Sequence, residues 1–260
     1  MHDIVDYLEK NLTTSFIGRK LRYLAVTSST QDVAKDMADH GAPDGAAVIA
    51  GMQQSGRGRL GRSWLSPEGG LATSIILRPV MSVVPLLPAI SALAVFRTVK
   101  ALGINAEIKW PNDVLIGGRK VCGILIEHGL ADGAVRYSIM GIGININFDT
   151  SLYPDIAGFA TSLSVELGHE LPVGRVALRL YTELESLYLR SNEPDAILTE
   201  WAAHMITIGN RVRVKSANRD MEGIAEDINA SGHLLLRQDD GSVQEIVAGD
   251  ISLIDDGRKK

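Results

Sequence analysis

The sequence has a single cysteine, Cys122, so no disulfide can form within the chain and a reducing compartment is expected. That cysteine stands between Val121 and Gly123 in an apolar stretch, where a thiol serves as a small core residue rather than a nucleophile. Also absent is any run of the ~18 apolar residues that a membrane span needs. The best candidate, residues 80–96, is broken by Pro85 and Pro88. The N-terminal MHDIVDYLEKN carries acids and no apolar segment, which excludes an ordinary signal peptide. The chain is therefore expected to be soluble and cytoplasmic. Its six histidines show no metal-ligand spacing, and neither H-E-x-x-H nor a Cys/His cluster occurs. No G-x-S-x-G elbow offers a serine nucleophile, and no Gly-Lys dipeptide exists from which a P-loop could be built. Excess positive charge is missing too: the formal net charge of -5 does not suit a protein made chiefly to hold nucleic acid.

What remains is a chain of 260 residues, 45% hydrophobic, long enough for one main domain and a small second one. Residues 21–168 alternate between strand-like and helix-like patterns. Strands are expected at 21–26, 46–50 and 71–77, and helices at 30–40 and 86–102, the latter closed by Gly103. Four Val/Ile-rich runs, 106–109, 114–116, 120–128 and 136–147, suit adjacent antiparallel strands, with a tight hairpin at Gly117-Gly118. Two helices follow, at 174–191 and 194–205. From 211 to 254 five short β-type runs joined by Ser-Gly and Asp-Gly turns suit a small barrel. A boundary is placed near 207, giving expected domains 1–206 and 207–260.

The most informative segment is QQSGRGRLGRSW, residues 53–64. It holds Arg57, Arg59 and Arg62 with no acid, and Gly56, Gly58 and Gly61 permit positive φ or close approach of a ligand. Arginine forks match carboxylate and phosphate oxygens. A flexible anion grip that orders when its ligand arrives is the expectation, with a solvated basic loop as the plain alternative. Read literally, Gly56 to Gly61 also matches G-x-G-x-x-G. That fingerprint needs a helix at once and an acid ~20 residues on. Trp64 and Pro67 follow instead, and no Asp or Glu occurs between Glu68 and Glu107. The dinucleotide reading fails.

Residues 109–129, KWPNDVLIGGRKVCGILIEHG, supply Lys109 and Lys120, eleven positions apart and able to converge on one site. Asn112 and Asp113 beside them can read a base, a ribose or a metal ion. In GIGININ, residues 141–147, Asn145 and Asn147 are expected on one face of an apolar strand, either structural or facing a ligand.

GRGRLGRSW, KWPND, RKVCGILIE and GIGIN occur in one order, and SSTQ (residues 28–31) opens the first long helix. Taken together, this set resembles the biotin–protein ligases. The resemblance implies an α+β fold: a mixed, largely antiparallel sheet with helices, class II synthetase-like, plus a small SH3-like β-barrel. It implies a ligase that makes biotinyl-AMP from biotin and ATP, with Mg2+, and passes biotin to a lysine of a biotin carboxyl carrier protein. By motif, Ser29, Thr30, Gln31, Gln53, Gly56, Arg57, Gly58, Arg59, Lys120 and Gly123 would bind biotin. Arg57 and Lys120 would be catalytic, meeting carboxylate and phosphate. Arg59, Arg62, Trp64, Lys109, Asn112 and Asn145 would serve ATP, and Asp113 could hold magnesium.

Twenty residues precede the first expected strand, too few for the DNA-binding winged helix of some members, so no DNA role is expected. Residues 217–256 carry ten acids against Arg219 and Arg237, a poor surface for nucleic acid. A homodimer is expected, with 136–147 offered as a pairing edge strand. The nearest rival, a lipoate–protein ligase, would carry an Arg-Arg-x-Ser-Gly-Gly-Gly loop, which this chain lacks. A non-catalytic nucleic-acid module is the rival from another class.

Overall fold

A computed structural model describes residues 3–215 and 220–254. Its elements run α1 (Asp3–Asn11), β1 (Leu21–Thr27), α2 (Thr30–Asp39), β2 (Ala47–Gln53), β3 (Leu71–Leu77), α3 (Leu87–Lys100), β4 (Glu107–Lys109), β5 (Asp113–Ile116), β6 (Arg119–Ala131) and β7 (Ala134–Ile144). There follow α4 (Leu163–Leu167), α5 (Val173–Leu189), α6 (Pro194–Ala203), β8 (Arg211–Lys215), β9 (Asp220–Ile228), β10 (Leu234–Arg237), β11 (Val243–Ile246) and β12 (Asp250–Leu253).

The first seven strands form one sheet in the order β1-β2-β3-β7-β6-β5-β4, parallel only between β1 and β2. That pair is parallel because α2 lies between its strands and returns the chain to the same end. Every other neighbour is antiparallel, as the Val/Ile runs predict. Gly117 and Gly118, with φ of 54° and 76°, close the β5–β6 hairpin at a turn that favours glycine.

Strand period two sorts the residues onto two faces. Leu71, Ile75 and Leu77 of β3 and Met140, Ile142 and Ile144 of β7 enter the main core against α3. Helix α3 is apolar on nearly every side and is sandwiched between the sheet and α5 and α6. On the opposite face α2 packs Ala34 and Ala38 against Val48, Ile76 and Ile139. That second face also carries Ser74, Gly141, Gly143 and Gly123, where small side chains leave room beside α2.

Helices α1 and α4 were not anticipated. Both are short, and tertiary contacts fix them: α1 packs on α5 and buries Leu8, and α4 is capped by Ser162. Strand β7 is no edge, which corrects the expectation for 136–147. Over Ser138 to Ile144 it lies between β3 and β6, and the sheet ends at β1 and β4. Strand β5 stops pairing with β6 at Gly123, so residues 125–131 of β6 have a ladder only with β7.

The five runs expected after 211 are the five strands of a second, all-antiparallel sheet, ordered β11-β10-β9-β8-β12. No β11–β12 pairing closes it among the described residues. Residues 216–219 and 255–260 of the expected second domain lie outside the described residues. The sheet docks tightly: Trp110 Nε1 donates to the Gly232 carbonyl at 3.0 Å, and Val212, Leu234 and Ile251 join the same apolar core as Trp201 and Met205.

Candidate functional site: two joined cavities under a Gly-Arg flap

Residues 53–66 fold back on themselves as a flap. Gln53 bridges to Ser66 and Arg57 to Ser63, and a single 3-10 turn, Arg59–Gly61, forms the tip. The glycines do different jobs. Only Gly61 has positive φ (73°), beside Leu60 at 55°. Gly56 is needed for close approach, since a Cβ there would lie 2.4 Å from the Trp64 carbonyl oxygen.

The flap lays Trp64 over a glycine floor. Gly143 and Gly123 are ladder partners on β7 and β6, and Cβ atoms there would meet Trp64 at 2.3 and 2.8 Å. The next row of the same face, Ser74 and Gly141, lies under Gln31. Two cavities flank this floor. The first, about 50 Å³, is bounded by the N-terminus of α2 (Ser29, Thr30, Gln31), by Gln53 and Ser74, and by the flap. The second, about 180 Å³, runs from the flap to Ile156 and Phe159 and is closed by Gly249 and Asp250 of the C-terminal sheet. Gly58, Arg59, Trp64, Asn112 and Lys120 line both.

The deep end of the first cavity is neutral and polar. Ser29 caps α2, its hydroxyl accepting the Gln31 N–H at 3.3 Å, and Gln53 Oε1 accepts the Thr30 N–H at 2.8 Å. Cations cluster at the junction. Lys120 Nζ lies 2.6 Å from Asp113 Oδ1 and 5.4 Å from the Trp64 ring centre. No hydrogen bond of good geometry reaches Asp113 Oδ1, which leaves this buried oxygen held by charge alone. Arg59 donates to Asn112 Oδ1 at 2.9 Å, and burial pulls its guanidinium below the usual arginine range, though it stays charged. Arg57 is clamped by Asp32 at 2.8 Å and Glu127 at 2.9 Å.

Of the residues expected to hold biotin, all but Gly56 line the first cavity. Of those expected to hold ATP, all but Lys109 line the second, as does Asp113. Lys109 lines neither cavity, yet it and Lys120 both neighbour Asp113. Lys109 sits on the edge strand β4 as the ladder partner of Asp113, while Lys120 pairs across to Leu115 and holds Asp113 by charge. Arg62 reaches away from the junction to a two-pronged ion pair with Asp250, which raises its pKa further above the usual range. Strand β7 ends before Asn145 and Asn147. Asn145 donates to the Thr161 carbonyl at 2.9 Å while lining the second cavity, and Asn147 ties down Leu171. Cys122 is fully buried and its thiol is pushed up by burial, so it is no nucleophile.

Among the lining residues not anticipated are Ser74, Ile156, Phe159 and Asp250. Ser74 stands in an ordinary-looking strand, and the other three lie on segments whose approach to the flap no local pattern signals. Phe159 is 56% exposed and borders an apolar wall.

Comparison with known proteins agrees with this arrangement. The Biotin/lipoate A/B protein ligase family matches residues 23–145, and the Biotin protein ligase C terminal domain matches 207–254. The Bifunctional ligase/repressor BirA of Bacillus subtilis (strain 168) is 37% identical over 93% of this chain and 76% of its own length. A Biotin--[acetyl-CoA-carboxylase] ligase of Mycobacterium tuberculosis is 34% identical over 94% of both chains. Among solved structures, Biotin protein ligase from Aquifex aeolicus in complex with biotin and ATP superposes with a TM-score of 0.78 at 29% identity, covering 91% of this chain and 99% of that one. Family models cover well over half the chain, and the chain belongs to the Biotin/lipoate A/B protein ligase family, with the C-terminal domain of a biotin protein ligase.

Proposed function

We propose that this protein is a biotin–[acetyl-CoA-carboxylase] ligase that forms biotinyl-5'-AMP and transfers biotin to a lysine of a carrier protein. The observation that carries the reading is the junction: a neutral polar cavity and a larger cavity with an apolar wall meet at Lys120 and Arg59. Hydroxyls and amides at the deep end suit the ring of biotin, whose carboxylate then reaches Arg57 and Lys120. Ile156 and Phe159 offer a flat apolar face for a base, with Asn112 and Asn145 beside it. The Trp64 ring covers the floor between them.

In the first step a biotin carboxylate oxygen attacks the α-phosphorus, the bond to the bridging oxygen breaks, and pyrophosphate leaves. Negative charge grows on the α-phosphoryl oxygens, and fixed cations in a site that excludes water stabilise it. Lys120 and Arg59 occupy the place where that charge forms. In the second step the carrier lysine, as free amine, attacks the anhydride carbonyl, AMP leaves, and the amide nitrogen gives up a proton. The flap limits loss of the anhydride to water. Asp113 fits a magnesium ion that keeps most of its water and phosphate ligands, since it brings one partly buried carboxylate and no cluster of three ligands stands nearby among the described residues. When bound, that ion would neutralise the triphosphate.

Residues 1–206 form the catalytic unit in this reading, and 207–260 an SH3-like unit that closes the second cavity. In this reading the enzyme works in the cytoplasm as a homodimer. No helix among the described residues is long and apolar enough to cross a membrane. The test is ATP- and magnesium-dependent transfer of biotin to a carrier domain. Transfer of lipoate with no transfer of biotin would overturn the reading.

A further inference from the structure

We propose that Glu166 is a positioning residue for the first step. It clamps the segment that walls the second cavity to the strand that carries Lys120, so that apolar wall and cation keep one register toward a nucleotide. This rests on the biotin and ATP reading and deepens it by naming what aligns the base of the nucleotide with the charge at its α-phosphate.

Strand β7 lies beside β6 from Ala131 back to Cys122, where Ile144 is the last ladder partner. Beyond that point residues 159–161 take the place beside β6. Lys120 donates its main-chain N–H to the Phe159 carbonyl at 2.8 Å, and its carbonyl accepts the Thr161 N–H at 2.9 Å, a parallel bridge centred on Ala160. Both main-chain groups of Lys120 are thus bonded to the stretch whose Phe159 and Ala160 line the second cavity. The other carbonyls of that stretch are held as well. Ala160 accepts from the Thr150 hydroxyl at 3.0 Å, and Thr161 from Asn145 Nδ2 at 2.9 Å.

Glu166 locks this bridge from α4. Its Oε1 accepts from the Thr161 hydroxyl and from Arg119 Nη2, the latter at 2.7 Å. Arg119 precedes Lys120 and Thr161 follows Ala160, so one carboxylate oxygen ties together the residues that flank the bridge on its two sides. The two bonds differ in weight. Arg119 keeps 48% of its side chain in solvent, where an ion pair contributes little. Thr161 is fully buried, and a buried hydroxyl that loses its acceptor costs far more. A helix of five residues cannot hold its own place. What seats α4 is the run that carries Asn145: the N–H groups of Leu163 and Ser164 donate to the carbonyls of Asn145 and Ile146 at 3.0 and 2.8 Å. Lys120, Asn145 and Phe159 therefore reach the second cavity from three segments, and Glu166 sits where those segments are joined.

The test is biotin-dependent pyrophosphate exchange, with calorimetric binding of biotin alone, using wild type, Glu166→Ala, Glu166→Gln and Thr161→Val. Glu166→Ala and Thr161→Val should each lower kcat/KM for ATP about tenfold, the worth of one buried hydrogen bond to a charged group, while Kd for biotin stays within about twofold. Combining the two should be no worse than either alone, because both remove the same bond. Glu166→Gln should recover to within about threefold of wild type, since its amide oxygen still accepts the Thr161 proton. An unchanged kcat/KM for ATP in both single variants, or losses that multiply when they are combined, would overturn the inference and leave the biotin reading standing. Equal losses toward biotin and ATP with a lowered Tm would mark a merely structural role and overturn it too. If wild type shows no biotin-dependent exchange, the biotin reading falls, and calorimetric binding of ATP to the same variants decides the clamp by itself.

Discussion

At the deep end of the site Ser29, Thr30, Gln31 and Ser74 are at most 3% exposed and bonded to one another and to main chain, whereas on the flap Arg57 and Arg62 keep 39% and 62% of their side chains in solvent. The deep end is neutral and held by strands and the capped start of α2. The flap is charged and held by ion pairs with Asp32, Glu127 and Asp250. Exposed ion pairs contribute only about 0–1 kcal/mol each, so oxyanions of a ligand can replace them at little cost. Buried hydrogen bonds cannot be exchanged in that way. One region is therefore set in advance for recognition, and the other can be rearranged for chemistry.

Lys120 stands where the two regions meet, and its removal should have the largest effect. Lys120→Ala is expected to lower the rate of biotin-dependent pyrophosphate exchange on the order of 10²–10³-fold, as loss of one charge-stabilising group commonly does. A loss below about fivefold would put Lys120 among the replaceable flap charges. Next comes the floor. Gly143→Ala places a Cβ 2.3 Å from Trp64 Nε1, so the indole must leave. Exchange should fall about 10–100-fold, the scale of a displacement near 1 Å in a site. Trp110 and Trp201 are buried, so a red shift in tryptophan emission would report Trp64 alone; an unshifted spectrum would show that the floor does not seat it.

The scaffold and the flap should also part in their response to acid. Burial lowers the pKa of His128 and of His204 below 6.5. The unfolded chain then binds more protons than the folded one as pH falls through about 6.5, so the stability these neutral rings allow is present above that pH and is lost below it. Urea unfolding at pH 7.5 and 5.5 should show this fall, and His128→Asn with His204→Asn should flatten it. The smallest effect belongs to the surface pair. Asp250→Asn should release Arg62 and raise the rate of tryptic cleavage at the flap about two- to threefold, with Tm unchanged, in keeping with a pair worth under about 1 kcal/mol. A tenfold rise would make Asp250 the main restraint on the flap.

Much of this was legible along the chain. The 71–77 strand, the α2 and α3 helices and the four antiparallel runs follow from period and punctuation, because burial of one face leaves a repeating mark. The Gly-Arg loop announced an anion grip because three arginines without an acid have few structural uses. The spacing of Lys109 and Lys120 says that both lie near one hairpin; only ladder register shows that Lys109 stands against Asp113 on the edge strand, outside the linings of both cavities. Arg62 looked like its neighbours until Asp250, 188 residues away, was brought to it. Residues 136–147 looked like an edge because nothing local says that β3, some sixty positions earlier, lies beside them.

The sequence by itself determined the elements, the ordered set of site residues and, through them, the family, because each of those depends on residue type and short spacing. Only the tertiary structure decided which cations meet at the junction and that Ser74 stands within hydrogen-bond reach of Thr30. Which main-chain carbonyls face the Gln31 amide depends on the packing of α2 on β6 and β7, contacts between residues about a hundred positions apart.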